Sequence, residues 1–344
     1  MRPVRQTPAR LVLGIDTSCD DTAAAVVRDG REVLSSVVAS QAELHRRFGG
    51  VVPEVASRRH LVAIVPVVEQ ALEQAGVHKS QLDAVAATYG PGLVGSLLVG
   101  LMAGKALAVA LDIPFVGVDH LEGHVASAWL ARPQLALPMV VLVASGGHTE
   151  LVLVPEQGPW RVLGRTRDDA AGEAFDKVGR LLGLPYPAGP AIDRLSREGR
   201  ADAVRLPRAL PEGLDFSFSG LKTAAALALA PRVGGELSLA DAAASLQAAV
   251  VEVLVEKLFR AARQEGVRTV AVTGGVAANG ALRAAVEEQA RQHGLEAVLP
   301  PAWLCTDNGA MIAAAGYLRL LQQGPSPLDL PAEPSARLQP AGRR

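Results

Sequence analysis

Leu11-Val12-Leu13-Gly14-Ile15-Asp16-Thr17-Ser18-Cys19-Asp20-Asp21-Thr22-Ala23-Ala24-Ala25-Val26-Val27-Arg28 decides how the chain is read. Leu11–Ile15 is a short apolar strand, Asp16–Thr22 a polar turn, and Ala23–Arg28 a second strand. The Asp29-Gly30 turn and a third strand over about Glu32–Ser40 complete a β-meander. Next come a helix at His60–Ala75, a strand at Ala84–Thr88, a Gly- and Ala-rich helix within Gly92–Ile113 and a strand near Phe115–Val118. The same order then returns. Met139–Ala144, Glu150–Val154 and Trp160–Thr166 form three strands around the turn Ser145-Gly146-Gly147-His148-Thr149. A long helix (Ala240–Gln264), a strand (Thr269–Thr273), a helix (Ala277–His293), a short strand (Ala297–Leu299) and a last helix (Asp307–Gln322) follow.

Two such units predict a duplicated α/β architecture of the actin/hexokinase/Hsp70 kind, with two lobes around a central nucleotide-sized cleft. On this reading residues 1–130 form the N-terminal lobe and 131–330 the C-terminal lobe. About 168–235 is a helical insertion in the second lobe, and 331–344 a flexible tail.

The bulk properties agree with a packed enzyme-sized protein. Of 344 residues, 49% are apolar, 20% charged and 3% aromatic, a composition that buries a core and argues against disorder. A formal net charge of -1 gives no global basic field, so a polyanion must be met by a local patch. The strongest basic cluster holds Arg46, Arg47, Arg58 and Arg59 with His45 and His60. Cys19 and Cys305 are too few and too distant for a disulfide framework, and Met1–Arg10 has no secretory pattern, so the cytoplasm is expected. Gly92–Ile113 carries Lys105 and is read as a buried helix, with no membrane implied.

Chemistry concentrates at His120-Leu121-Glu122-Gly123-His124. A step of four places both imidazoles on one helix face, half a coordination shell for zinc, iron or nickel. In the zincin pattern Glu directly follows the first His. Here it stands one place later and turns to roughly the opposite side, which weakens a peptidase reading. Asp307, opening the last helix, supplies an oxygen ligand if folding brings it there; as an N-cap it would need no metal. The Asp16–Thr22 turn bunches carboxylates and hydroxyls that suit Mg²⁺ or phosphate, or are simply solvated. Ser145-Gly146-Gly147 and Gly274-Gly275 are turns whose backbone can approach an anion. Asp176 and Asp193 can take ribose hydroxyls or cap helices.

Many of these segments together resemble the tRNA threonylcarbamoyladenosine transferase family, formerly O-sialoglycoprotein endopeptidase. The resemblance runs from about Leu11 to Leu321 and rests on Gly14–Thr22, Gly49–Arg59, Gly90–Gly95, His120–His124, Ser145–Glu150, Gly172–Lys177, Asp215–Lys222, Gly274–Asn279 and Cys305–Met311. It implies transfer of a threonylcarbamoyl group from threonylcarbamoyladenylate to the exocyclic amine of an adenosine beside the tRNA anticodon. It also implies His120, His124 and Asp307 as ligands of one divalent metal, Fe²⁺ or Zn²⁺. The adenylate would be held by Val143, Ala144, Ser145, Gly146, Gly147, Asp176, Gly189, Asp193 and Asn279. A small paralogous heterodimer partner and an ATPase subunit are expected, with tRNA contacts at Arg46, Arg47, Arg58 and Arg59. The family usually has Glu at Asp16 and Asp21, Ser at Ala144 and often Arg at Gly280, so the first turn loses reach and a phosphate contact is missing.

Three other readings compete. A metallopeptidase is opposed by the register of Glu122. A small-molecule kinase on the same fold has no use for paired histidines. A non-catalytic scaffold has no need to hold ligands that are costly to desolvate.

Overall fold

A computed structural model describes residues 10–338. The described residues divide into two compact units. The first comprises residues up to Gln41, Val52–Leu130 and Asp307–Arg337; the second comprises Ala42–Val51 and Ala131–Thr306 with Leu338.

In the first unit β1 (Leu11–Asp16), β2 (Asp21–Arg28) and β3 (Glu32–Ser40) form the meander. The short helix α1 (Ala42–Arg46) then departs to the second unit. The chain returns in α2 (Pro53–Ala75), β4 (Ala84–Gly90), α3 (Val94–Leu111), β5 (Phe115–Asp119) and α4 (His120–Ala131). α2 starts at Pro53, not His60, because proline at the first turn surrenders no needed N–H. Arg58 and Arg59 therefore lie within the helix. The sheet order is β3-β2-β1-β4-β5, with β1 antiparallel to β2 and parallel to β4.

The period of two sorts the strand residues between helices. Leu13 and Ile15 join a core with Ile64, Val67 and Leu101 of α2 and α3. Gly14, between them, faces a helix from the far end of the chain. α11 (Gly309–Gln323) crosses so closely that a Cβ at Gly14 would lie 2.2 Å from the Gly309 carbonyl and 2.4 Å from the Ala313 nitrogen. Sequence order had put α11 with the second lobe; glycine-to-glycine contact puts it on the first sheet. Residues after it are packed too, in place of the loose tail expected from 331. Glu333 N–H donates to the Tyr89 carbonyl, and Gly92 N–H to that of Pro334.

The apolar helix α3 is long enough to cross a membrane by length and composition, but 44% of it is buried within the fold. Its Lys105 donates to the Leu330 carbonyl at 2.5 Å.

The second unit repeats the plan with β6 (Met139–Ala144), β7 (Thr149–Val154) and β8 (Arg161–Arg165). The insertion supplies α5 (Ala171–Leu181), α6 (Gly189–Ser196) and α7 (Ser219–Ala228) before the long α8 (Leu239–Glu265). β9 (Thr269–Thr273), α9 (Gly280–His293), β10 (Glu296–Val298) and the single turn α10 (Ala302–Cys305) complete it. Read from the third strand, its order β8-β7-β6-β9-β10 matches the first sheet, with the same antiparallel and parallel pairings. The repeat inferred from strand spacing is thus a repeat of topology. α8 is buried along most of its length, packed on β6, β9 and the insertion helices.

Candidate functional site

β5 ends at Asp119 and α4 begins at His120, so both imidazoles sit at the carboxyl edge of a parallel strand. Asp119 Oδ1 accepts the Leu121 N–H at 2.8 Å and steadies this first turn. Rings four residues apart meet edge to face, with centroids 4.6 Å apart. Asp307 Oδ1 lies 3.5 Å from His120 Nε2 and 3.3 Å from His124 Nε2. One donor atom from each of the three residues falls within 4.8 Å of the others. Asp307 is not the helix cap; Asn308 is, its Oδ1 accepting from Met311 N–H at 2.9 Å. The carboxylate of Asp307 is thereby left to face the histidines, and all three residues belong to the first unit.

The donor set fits a divalent cation. Two ring nitrogens and one carboxylate oxygen suit zinc or ferrous iron and leave coordination positions open. Burial lowers the pKa of His124 and keeps its imidazole neutral, the form that ligates; its Nδ1 is buried without a hydrogen bond. For His120 burial works in the same direction, but Asp307 and Asp16 outweigh it and draw the ring up to about 9. The carboxylates thus call for positive charge at this spot. Asp21 is pushed up to about 7, by burial first, with Asp307, Asp20 and Asp16 adding like-charge repulsion against a hydrogen bond from Ser40.

The first turn is not a solvated hairpin. Asp16, Thr17 and Ser18 are buried. Asp16 Oδ1 accepts from Thr88 Oγ1 at 2.6 Å and stands 3.6 Å from His120 Nδ1. Thr17 Oγ1 donates to the Ser96 carbonyl and accepts from Gly100 N–H. The Gly90–Ser96 turn packs on this one, since a Cβ at Gly92 would come 2.3 Å from the Ser18 carbonyl.

Glu122, between the histidines in sequence, is held by Arg319 of α11, Nη1 to Oε2 at 2.7 Å. An anchored carboxylate of this kind is not placed as a peptidase base.

The second unit holds a cavity of about 370 Å³, large enough for a nucleotide. Of the nine residues named from sequence, Gly146, Asp176, Gly189, Asp193 and Asn279 line it. Val143 and Ala144 do not; they are fully buried strand residues of β6. Ser145 and Gly147 are also outside the lining, and the Ser145 N–H is already given to the His148 carbonyl at 2.8 Å, so it cannot serve an anion. Phe175, Pro187, Pro190 and Val276 line the cavity and were missed, because an apolar wall reads in sequence as core.

Asp176 and Asp193 do cap helices, though not their own. Asp176 Oδ1 accepts from Ala188 N–H before α6, and Asp193 Oδ1 from Gly280 N–H at the start of α9. Asn279 caps α9 through Leu282 N–H and donates to Gln247 Oε1 at 2.7 Å. A Cβ at Gly280 would lie 3.6 Å from Arg197 Nη2, itself paired with Asp193.

The basic cluster is divided. Arg46 and Arg47 belong to the second unit, Arg58 and Arg59 to the first, and all four are exposed. His60 is not part of any basic surface; it is buried, between Thr22 Oγ1 at 2.8 Å and the Cys19 carbonyl at 3.0 Å.

The chain is 57% identical over 333 residues to a tRNA N6-adenosine threonylcarbamoyltransferase of Geobacillus kaustophilus, covering 95% of this chain and 96% of that one. It is 56% identical over 331 residues to the protein of that name from Symbiobacterium thermophilum, covering 95% and 97%. Among solved structures, component A of the (R)-2-hydroxyglutaryl-CoA dehydratase of Acidaminococcus fermentans shares the fold at 16% identity, with a TM-score of 0.56 over 91% of this chain and 99% of that one. The two matching α/β repeats are those of the actin/hexokinase/Hsp70 class. The family model for TsaD, tRNA N6-adenosine threonylcarbamoyltransferase, matches residues 32–314, and the chain belongs to that family.

Proposed function

We propose that this chain transfers the threonylcarbamoyl group from L-threonylcarbamoyladenylate to the exocyclic amine of an adenosine next to the tRNA anticodon, releasing AMP. The observation that carries this is the trio of His120, His124 and Asp307, two buried imidazoles and one carboxylate spaced for a single cation, in a chain more than half identical to transferases of that name. These three residues would hold one divalent ion, Fe²⁺ or Zn²⁺. When bound it supplies a Lewis acid for an oxygen of the acyl-adenylate.

The adenosine part of the donor is assigned to the 370 Å³ cavity. Phe175, Pro187 and Val276 offer the base an apolar wall, and Gly146 and Gly275 leave room where a side chain would intrude. Asp176, which accepts the Ala188 N–H, lines this cavity and is assigned to a ribose hydroxyl. The amine attacks the carbamoyl carbon, the bond to the phosphate oxygen breaks, and the amine's proton must leave. By charge, Asp16, Asp20 and Asp21 of the first turn are the candidates to take it.

The protein would work in the cytoplasm with tRNA, a small paralogous partner and an ATPase subunit. Leu61, Val62 and Val65 on α2 and Leu98, Met102 and Val109 on α3 are exposed, an apolar surface of the kind a protein partner covers. The test follows label from threonine-labelled donor into unmodified tRNA in the reconstituted system. Metal-free His120→Ala should transfer none; undiminished transfer would reject the assignment.

A further inference from the structure

We propose that a second, smaller pocket of the second unit holds a backbone phosphate of the RNA acceptor between Arg46 and Arg180. Its volume is about 140 Å³, and Arg46, Gly49, Asp176, Arg180, Tyr186 and Ala188 are among its lining residues. That is room for a phosphate group, below the range of about 300–1,000 Å³ typical of small-molecule sites.

The Arg46 guanidinium is oriented before any ligand arrives. Arg46, at the end of α1, pairs with Glu43 at 2.8 Å and donates from Nε to the Tyr186 carbonyl at 3.3 Å. Arg180, on α5, rests against the Gly49-Gly50 turn; a Cβ at either glycine would come 3.4 Å from its Nη2. Its guanidinium makes no hydrogen bond or ion pair among the described residues. Arg46 is thus fixed, and Arg180, whose charge acts on the Asp176 carboxylate without a direct hydrogen bond or ion pair to it, stands on the rim of the same concavity.

The opposing charges are Asp176 and Glu43. Asp176 has one oxygen committed to Ala188 N–H at 2.7 Å. Glu43 has a side chain 80% exposed, and an exposed pair of this kind is worth only about 0–1 kcal/mol, so a phosphate displaces it from Arg46 at little cost. Arginine forks match phosphate oxygens two at a time. Asp176 also lines the larger cavity, so a phosphate bound here would lie one short segment, residues 185–188, from the proposed nucleotide.

This inference rests on the reading of tRNA as acceptor. The test is binding of in vitro transcribed, unmodified tRNA to the full chain across a salt series. Arg46→Ala and Arg180→Ala should each flatten the plot of log affinity against log salt by about 0.7–0.9, one phosphate's worth. The double variant should flatten it no further, because both arginines serve one phosphate. AMP affinity should not change, which reports an intact fold. Unchanged slopes in the single variants overturn the proposal, and so does a double variant equal to the sum, which would mean independent surface charges. Inorganic phosphate that binds the wild type but not Arg180→Ala, with the tRNA slope unmoved, assigns the pocket to a free anion and also overturns it. A wild-type chain that binds no tRNA at low salt removes the acceptor reading as well; tight binding with unmoved slopes removes this proposal alone.

Discussion

Arg319→Met removes the guanidinium that ties α11 to Glu122 on α4, the helix that carries both histidines. The side chains of Glu122 and Arg319 are 11% and 23% exposed. Stranding one charge of a fully buried pair costs about 3–5 kcal/mol; the partial exposure of Arg319 admits water and reduces this to about 2–3 kcal/mol. Methionine keeps most of the apolar stem, so little of the loss is packing. The assay is equilibrium urea unfolding in a Trp160→Phe/Trp303→Phe background, where Trp129 on α4 reports the first unit. Adding Glu122→Gln should restore about half of the loss, since no unpaired charge then remains. Metal affinity should fall in Arg319→Met, because α4 and α11 position the donors. A variant within about 0.5 kcal/mol of wild type, the scatter of ordinary surface substitutions, would refute the reasoning. So would a double variant as unstable as the two single changes added together.

Gly309→Ala places a Cβ 2.5 Å from the backbone of Ala24 and Ala25, so the start of α11 must shift and carry Asp307 with it; the chain should fold yet lose bound metal, and wild-type metal content would contradict this. Gly275→Val projects into the large cavity, where nothing lies within 4 Å of the new Cβ. AMP affinity should drop at least about tenfold, or about 1.4 kcal/mol, with the melting profile unchanged; an unaltered Kd would empty the cavity of its assigned role. Asp168 accepts hydrogen bonds from Ser217 Oγ, Ser219 Oγ and the N–H groups of Phe218 and Ser219. Burial opposes ionisation there, but these bonds together outweigh it and hold the carboxyl below its ordinary range. A depressed pKa stabilises the fold above the unfolded value and ceases to as pH falls through the lowered one. Asp168→Asn should therefore cost about 1 kcal/mol at neutral pH, discounted for solvent exposure, and nothing in strong acid; a gap that widens on acidification would reverse the sign.

The parts of the fold set by local pattern were legible. Strands β6 and β9 are legible to the residue, because apolar runs bounded by Pro138 and Ser145-Gly146, and by Gly266 and Gly274, leave little choice. The start of α2 falls late in the sequence pattern, at Arg58-Arg59-His60, when Pro53 is not taken as a first-turn residue. The place of α11 was not legible. It depends on Gly14, Gly309 and Gly316 allowing backbones to touch, and a sequence does not say which glycines meet. At the site, the spacing of His120 and His124 fixed a shared face, whereas their meeting with Asp307 came from that tertiary crossing. Asp176 and Asp193 had two roles open, and capping of a neighbouring helix is one that reading along a single helix does not reveal.

The most direct measurement is the metal content of the purified full chain beside that of His124→Ala, by elemental analysis after dialysis against metal-free buffer. About one equivalent of iron or zinc in the wild type and close to none in the variant is the expected result. A variant that retains the full equivalent would contradict a cation held by His120, His124 and Asp307.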